Sequence, residues 1–487
     1  MSSSAEPRSP ACTRTPPPVV VFARPGAGHL IPLVELVRRL AVDYGLAVTL
    51  VRVKGLSDPA IDAAVLSSLP GTVKNEVLPA VSLDDLPADL GFGPLVFEVV
   101  RRSLPSLRAL MLGSDGHAAA ALVCDFFSTA ALSLAAELGV PGCVFLPNSF
   151  AMISIMRHMA ELHGDAAPGE YRDLPDLLPL PGGPLLRHED LPDGFRDRND
   201  GVYPYLVEGA RLYGGADGFL VNSFEELETA MAEAFKRDAE DGAFPPVYPV
   251  GPCVRGNGVD ESACLEWLDR QPVGSVVYVS FGTGGALSVE QTAELAAGLE
   301  ASGHKFLWVV RMPSLDGKSY SLGKARGDDD DPLAWLPEGF LERTMGQGLA
   351  VAAWAPQVRV LSHPATAAFV SHCGWNSTLE SVAAGVPMIA WPLYAEQRMN
   401  AAILTEVTGV ALRPAARGDG FVAREAVAAA VRELMEGEKG STVRRRAREL
   451  QEAAVRAWSP EGSSRRALGE LAGNWKVKIR NGNGTSA

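Results

Sequence analysis

Short β-branched runs alternate with longer amphipathic stretches along this chain, and that rhythm restricts its fold more than any other feature. The runs at 18–23, 47–53, 120–126, 142–147, 218–223, 274–281, 305–310, 367–372 and 387–392 are short and almost continuously apolar. Such runs read as strands buried on both faces, as in a parallel sheet. Between many of them lie Ala-, Leu- and Glu-rich stretches with helical spacing, such as 30–42, 289–302 and 378–385. Strand, loop, helix, strand is the pattern of a doubly wound α/β domain. Here it runs twice, and it weakens over 240–262, where Pro and Gly collect. The expected architecture is therefore α/β, with two Rossmann-like doubly wound domains facing each other across a cleft. Ligands bind such sheets outside the carboxyl ends of the strands. The expected divisions are a disordered leader over 1–17, an N-terminal domain over 18–245, a linker over 246–262, a C-terminal domain over 263–460, a last helix over 461–478 and a polar tail over 479–487. The irregular stretch 313–332 reads as a charged surface loop.

Charge and cysteine use exclude several classes of function. Lys and Arg number 44 against 58 Asp and Glu, a net charge of −14, so no general attraction to nucleic acid or to an anionic membrane is expected. Cys12, Cys124, Cys143, Cys253, Cys264 and Cys373 are scattered, without zinc spacing or a disulfide framework,. The N-terminus lacks the apolar core of a secretory signal. The uncharged stretch 138–156 has the length of a membrane span, but Pro141, Pro147 and Asn148 interrupt it; it reads as a buried strand between turns. A soluble cytoplasmic protein is expected.

Three strand-to-helix junctions carry chemistry. In FARPGAGHLIPL, Gly26 and Gly28 permit a tight turn, and His29 falls near a helix start, expected at Leu30. The glycines do not complete a dinucleotide fingerprint, because Ile31 stands where the third Gly belongs. His29 is either a surface or cap histidine or a group facing a ligand. In ALVCDFFSTAAL, Asp125 ends an apolar strand, where an unpaired carboxylate is costly. It caps the next helix, pairs with an arginine, or orients His29. In the last case it also raises the imidazole pKa toward neutral and makes His29 a general base. In YVSFGTGGALSVEQ, Gly-rich backbone and Thr283 precede a Ser288-x-x-Gln291 capping box, a phosphate-capable arrangement without the Lys of a nucleotide triphosphatase loop.

The densest segment is 354–397, WAPQVRVLSHPATAAFVSHCGWNSTLESVAAGVPMIAWPLYAEQ. A strand, a sharp turn at CGWNS and a helix are expected there, with Ser377-x-x-Glu380 as a second capping box. The N–H groups after Gly374, together with His372, Asn376 and Ser377, suit an anion. Trp354 offers a flat face for a nucleobase or else packs in the core. Glu396 and Gln397 suit a polyol or else begin a solvated helix.

The segment resembles the C-terminal signature box of plant secondary-product glycosyltransferases of family 1, which use UDP-sugars. W-A-P-Q, H-C-G-W-N-S-x-L-E and the final E-Q stand at that family's spacing. PGxGHxxP near the start, VNSFEELE (221–228), YPVGP (248–252), SFGTGG (280–285) and DPLAWLPEGFLERT (331–344) extend the likeness over the chain. The last of these and LYAEQRMNA (393–401) look most like the phenol glucosyltransferase subgroup, which acts on hydroquinone or monolignols. The resemblance implies the GT-B fold, with the last helix packing back toward the N-terminal domain. It implies His29 as general base and Asp125 as its partner. Trp354 would stack on uracil, with the Ala355 backbone reading the ring edge. Gln357 and Glu380 would hold the ribose. Thr283, His372, Gly374, Asn376 and Ser377 would take the phosphates, and Trp375, Glu396 and Gln397 the sugar. Gln397 in the last place goes with glucose, so UDP-glucose is the implied co-substrate, with no cofactor and no metal.

The implied reaction is inverting transfer to a small phenolic acceptor by a monomer. Phe126, Phe127, Ser149, Phe150, Met152, Met156 and Tyr394 are candidates for the acceptor pocket, the Phe and Met residues being equally readable as core. Rival functions lack their marks. A hydrolase needs GxSxG, which is absent,, and both glycine junctions fail as nicotinamide sites. A nucleotide-sugar sensor without turnover is the remaining alternative; loss of His29 or Asp125 would mark it, and both are present.

Overall fold

The computed structural model describes residues 16–484 apart from 25, 57–58, 88–89, 114–118, 166–176, 257–261 and 321–330. Most of the expected leader, the end of the tail, part of the Pro/Gly-rich linker and the acidic part of the 313–332 loop lie outside the described residues.

Two parallel sheets organise the chain. The first contains β1 (Val19–Ala23), β2 (Val48–Val53), β3 (Lys74–Leu78), β4 (Ala121–Asp125) and β5 (Gly142–Leu146). A small antiparallel hairpin follows, β6 (Leu177–Pro179) with β7 (Leu185–Arg187). β8 (Gly218–Val221) and β9 (Val247–Pro249) complete the first sheet, in the order β3-β2-β1-β4-β5-β8-β9. The second contains β10 (Val276–Ser280), β11 (Lys305–Val310), β12 (Gly348–Ala352), β13 (Thr366–Ser371), β14 (Met388–Ala390) and β15 (Ala411–Leu412), in the order β12-β11-β10-β13-β14-β15. All pairings within both sheets are parallel. β1, β4, β5, β8 and β10 are buried along their whole length, because helices cover both sheet faces. Each sheet reverses its winding at one place, between β1 and β4 in the first and between β10 and β13 in the second. At such a switch point the loops diverge and leave a crevice.

The expected strand over 138–156 is a strand followed by a helix. β5 stops at Leu146, the Pro147–Asn148 turn breaks it, and a helix runs over Phe150–Asp165, burying Phe150, Met152, Ile153 and Met156. A short apolar run does not distinguish these states by periodicity. The final helix, Ser463–Gly484, continues beyond 478. Its Leu468, Leu471, Ala472 and Trp475 join Val19, Val21, Leu33 and Leu36 in one buried cluster, so the end of the chain packs on the N-terminal sheet. Trp458 anchors the return: its indole N–H donates to the Gly251 carbonyl at 2.9 Å, and Arg39 lies 3.6 Å above its ring. Among the described residues no helix is long and apolar enough to cross a membrane.

Candidate active site

At the first switch point β1 ends at Ala23, and Gly26 adopts φ +112°, a conformation that glycine reaches without strain,. The helix begins at Ala27, three residues earlier than expected, which puts His29 in its first turn. Across the switch point, Asp125 ends β4. One carboxylate oxygen accepts the Phe127 N–H at 3.0 Å, and the other lies 2.7 Å from His29 Nδ1. The cap and the histidine partner are therefore the same residue. Asp125 is fully buried, so its charge fixes the tautomer: Nδ1 carries the proton toward Asp125, and Nε2 keeps its lone pair. A third charge is present. Arg24 Nε lies 3.9 Å from Asp125. Burial, together with the Arg24 cation, pulls the His29 pKa below 6.5, against the opposing pull of Asp125. The expected rise toward neutrality is thus reversed. The main reason is the burial of the ring, and Arg24, on the loop between β1 and the helix, adds to it.

At the second switch point the residues of the 354–397 segment converge. Gly282 turns at φ +72° after β10, and Cys373 at φ +64° after β13. His372 lies between two glycines: a Cβ at Gly282 or at Gly374 would come within 2.5 Å of its Nε2. Burial pulls its pKa down to about 4, so the ring is neutral at pH 7 and carries one N–H and one lone pair. The helix after it is Trp375–Ala384, capped at Gly374. The expected Ser377–Glu380 box is therefore inside the helix and caps nothing. Instead Gln357 Nε2 donates to Ser377 Oγ at 2.8 Å and to Glu380 Oε2 at 2.6 Å. Burial raises the Glu380 pKa to about 7, opposed by that hydrogen bond. Trp354 follows Ala353, which has φ +61°, and 61% of it is exposed. An indole so exposed is not core. Ala355 beside it is buried. Thr283 is exposed, and its carbonyl accepts from Arg311.

Glu396 and Gln397 begin the helix Gln397–Ala402. Gln397 Oε1 accepts the N–H groups of Leu393 and Tyr394 at 2.9 and 3.1 Å, which fixes the orientation of its amide. Glu396 is held by Asn400 Nδ2 at 3.5 Å, and burial raises its pKa. Neither is a solvated helix start.

The two switch points are stitched together. Asn376 Nδ2 donates 2.7 Å to the carbonyl of Gly28, the residue before His29. Trp375, expected to face a sugar, is only 2% exposed. Its indole N–H instead donates 2.7 Å to the Asn222 carbonyl after β8. Asp193, in the N-terminal half, accepts the Ala395 N–H at 2.6 Å and pairs with Arg398 at 3.0 Å, clamping the Tyr394–Gln397 turn.

The expected acceptor residues divide. Phe150, Met152 and Met156 belong to the packed core with Phe126, and Phe150 stacks on Phe235 at 6.0 Å. Ser149 is fully buried. Phe127 and Tyr394 are only partly buried. Phe127 meets the His29 ring edge-on at 5.4 Å and Phe97 at 5.1 Å, and Phe97 stacks on Tyr205 at 5.3 Å. Phe97, Tyr205 and Asp193 were not anticipated, and the arginine expected as one possible partner of Asp125 is Arg24. Only the GxGH motif beside Arg24 offered a signal. Among the described residues, no group of three or more His, Cys, Asp or Glu side chains could hold a metal ion.

Residues 254–442 match a family model described as UDP-glucoronosyl and UDP-glucosyl transferase. The hydroquinone glucosyltransferase of Rauvolfia serpentina is 44% identical over 467 residues, 95% of this chain and 98% of that protein. The chain belongs to the UDP-glycosyltransferase family. Solved relatives share the GT-B architecture of this glycosyltransferase. Phytolacca americana UGT2, complexed with UDP-2-fluoro-glucose and pterostilbene, superposes with a TM-score of 0.85 at 41% identity, covering 94% of this chain and 100% of that one. A Polygonum tinctorium UDP-glucosyltransferase capable of glucosylating indoxyl, bound to 3,4-dichloroaniline, gives 0.86 at 42% identity, covering 95% and 99%. The residues of the 354–397 segment thus stand in an enzyme of nucleotide-sugar chemistry.

Proposed function

We propose that this glycosyltransferase moves glucose from UDP-glucose to a hydroxyl of a small phenolic acceptor, with inversion. The observation that carries the reading is the Asn376–Gly28 hydrogen bond of 2.7 Å. It ties the start of an anion-binding helix to the residue preceding a histidine that is paired to a buried carboxylate. A base and a leaving-group site are then neighbours. Relatives support the donor and acceptor classes: one is named for hydroquinone and another is complexed with a glucose donor analogue and pterostilbene.

In the proposed reaction the acceptor O–H gives its proton to His29 Nε2. The acceptor oxygen bonds to the anomeric carbon from the face opposite UDP. The bond from that carbon to the β-phosphate oxygen breaks, and its electron pair leaves with UDP. Asp125 stabilises the imidazolium so formed. The helix start at Gly374, the neutral N–H of His372, and Thr283, Asn376 and Ser377 receive the charge developing on the diphosphate. Trp354 stacks on uracil beside the Ala355 backbone, and Gln357 with Glu380 holds the ribose. Glu396 and the Gln397 amide bind sugar hydroxyls, while Trp375 stays buried against the Asn222 carbonyl. No metal enters this scheme.

The test is a panel of phenols, flavonols, anilines and alcohols with UDP-glucose, UDP-galactose and UDP-xylose, read by mass spectrometry. The expected result is a hexosyl adduct of phenols with UDP-glucose in clear excess over the other donors. A dominant product from UDP-galactose or UDP-xylose would overturn the donor reading, and adducts confined to alcohols would overturn the acceptor reading.

A further inference from the structure

We infer that Arg24 is a specificity-determining residue, which biases this transferase toward acidic phenols whose oxygen approaches the sugar as a phenolate and against weakly acidic hydroxyls. The inference rests on the reading of His29 as the base.

The geometry places a fixed cation beside the pair His29–Asp125 and over the Phe127 ring. Arg24 follows β1 directly. Its guanidinium carbon lies 4.6 Å above the Phe127 ring, and its Nε lies 3.9 Å from Asp125, the carboxylate that holds His29. A Cβ on Gly26 would come within 3.4 Å of its Nη1, so the glycine leaves room for the guanidinium inside the turn. Glu396, at the expected sugar end of the opposite domain, also acts on its charge. The side chain is 13% exposed, and Arg does not lose its proton in such surroundings. Base, expected sugar carboxylate and acceptor wall therefore surround one guanidinium.

Two effects act in the same direction. A cation beside His29 disfavours the imidazolium and weakens the base, which hinders transfer from a poorly acidic O–H most. The same cation stabilises negative charge developing on the acceptor oxygen, which helps most where that charge is well advanced. The row Phe127, Phe97 and Tyr205 leads away from Arg24 and offers an aromatic ring its faces and edges.

The experiment compares kcat/KM of the wild type, Arg24→Met and Arg24→Lys on para-substituted phenols of graded acidity and on benzyl alcohol, all with UDP-glucose. Met keeps the length of the stem against Phe127 without the charge, and Lys keeps the charge. Calorimetric UDP affinity reports that each variant is folded. The ratio of Arg24→Met to wild type is expected to fall steadily with acceptor acidity, by about tenfold or more on the most acidic phenol, with Lys restoring much of the loss. A uniform loss on every acceptor, or no loss, would overturn the inference while leaving the proposed function standing. A wild type that binds UDP and glucosylates none of the panel would instead overturn the proposed function, and the inference with it.

Discussion

Replacing His29 with Ala is expected to lower kcat/KM on weakly acidic acceptors by about 10²–10⁴-fold, the usual worth of a positioned general base. The pair at the first switch point makes this substitution informative. Only His29 Nδ1 is engaged by Asp125, at 2.7 Å, and the ring is 13% exposed at its position in the first helical turn. Its removal leaves Asp125 with the Phe127 N–H and Arg24 as partners. Asp125→Ala is less clean, because it also removes the cap of the following turn and leaves Arg24 without its carboxylate. Acceptors already partly ionised at the assay pH need less help and are expected to lose less in His29→Ala. UDP affinity is expected to stay unchanged, since the residues proposed to take the diphosphate belong to the C-terminal half. An equal loss on ionised and un-ionised acceptors, or a parallel loss of UDP affinity, would argue that His29 does something other than take a proton.

Trp354→Ala is expected to raise the KM for UDP-glucose by roughly 5- to 150-fold, the equivalent of about 1–3 kcal/mol of stacking on one base. The indole is the most exposed tryptophan among the described residues, at 61%, and it is presented by a left-handed residue, Ala353, at φ +61°. Stacking on a uracil ring remote from the reacting carbon would be the same in the ground and transition states, so kcat is expected to change little. Trp354→Phe retains a ring and is expected to recover most of the affinity. An unchanged KM in Trp354→Ala, or a loss carried mainly by kcat, would mean that the base binds elsewhere.

Much of this site was legible because its parts are contiguous in sequence. The 354–397 segment contains the strand end, the turn and the helix start that form one side of the crevice, and local patterns suffice to read them. Its side-chain partners were less legible. Ser377 and Glu380 have the spacing of a capping box, but Gly374 takes extended dihedrals and starts the helix sooner, which turns both side chains toward Gln357. Trp375 follows a glycine in a turn and looked available to a ligand. Its burial depends on the Asn222 carbonyl 153 positions away, which no local pattern reports. The same holds for Arg24. Its meaning comes from Asp125 at the end of another strand and Phe127 just after it, and it adds to the burial that lowers the His29 pKa. The apolar residues after Asp125 presented a different problem. Core and pocket have the same composition, and only packing separated Phe127 from Phe150 and Met156.

In the proposed reaction His29, buried between a carboxylate and a guanidinium, takes the acceptor proton in its neutral form. The pH profile of kcat/KM tests it most directly, with an acceptor that stays un-ionised throughout and with Arg24 and Asp125 in place. A base acts in its deprotonated form, and burial with Arg24 holds the His29 pKa below 6.5. Activity is therefore expected to stay level through neutral pH and to fall only below that value, with the acid limb disappearing from the residual activity of His29→Ala. An acid limb centred at or above about pH 7, or one that survives unchanged in His29→Ala, would contradict the account.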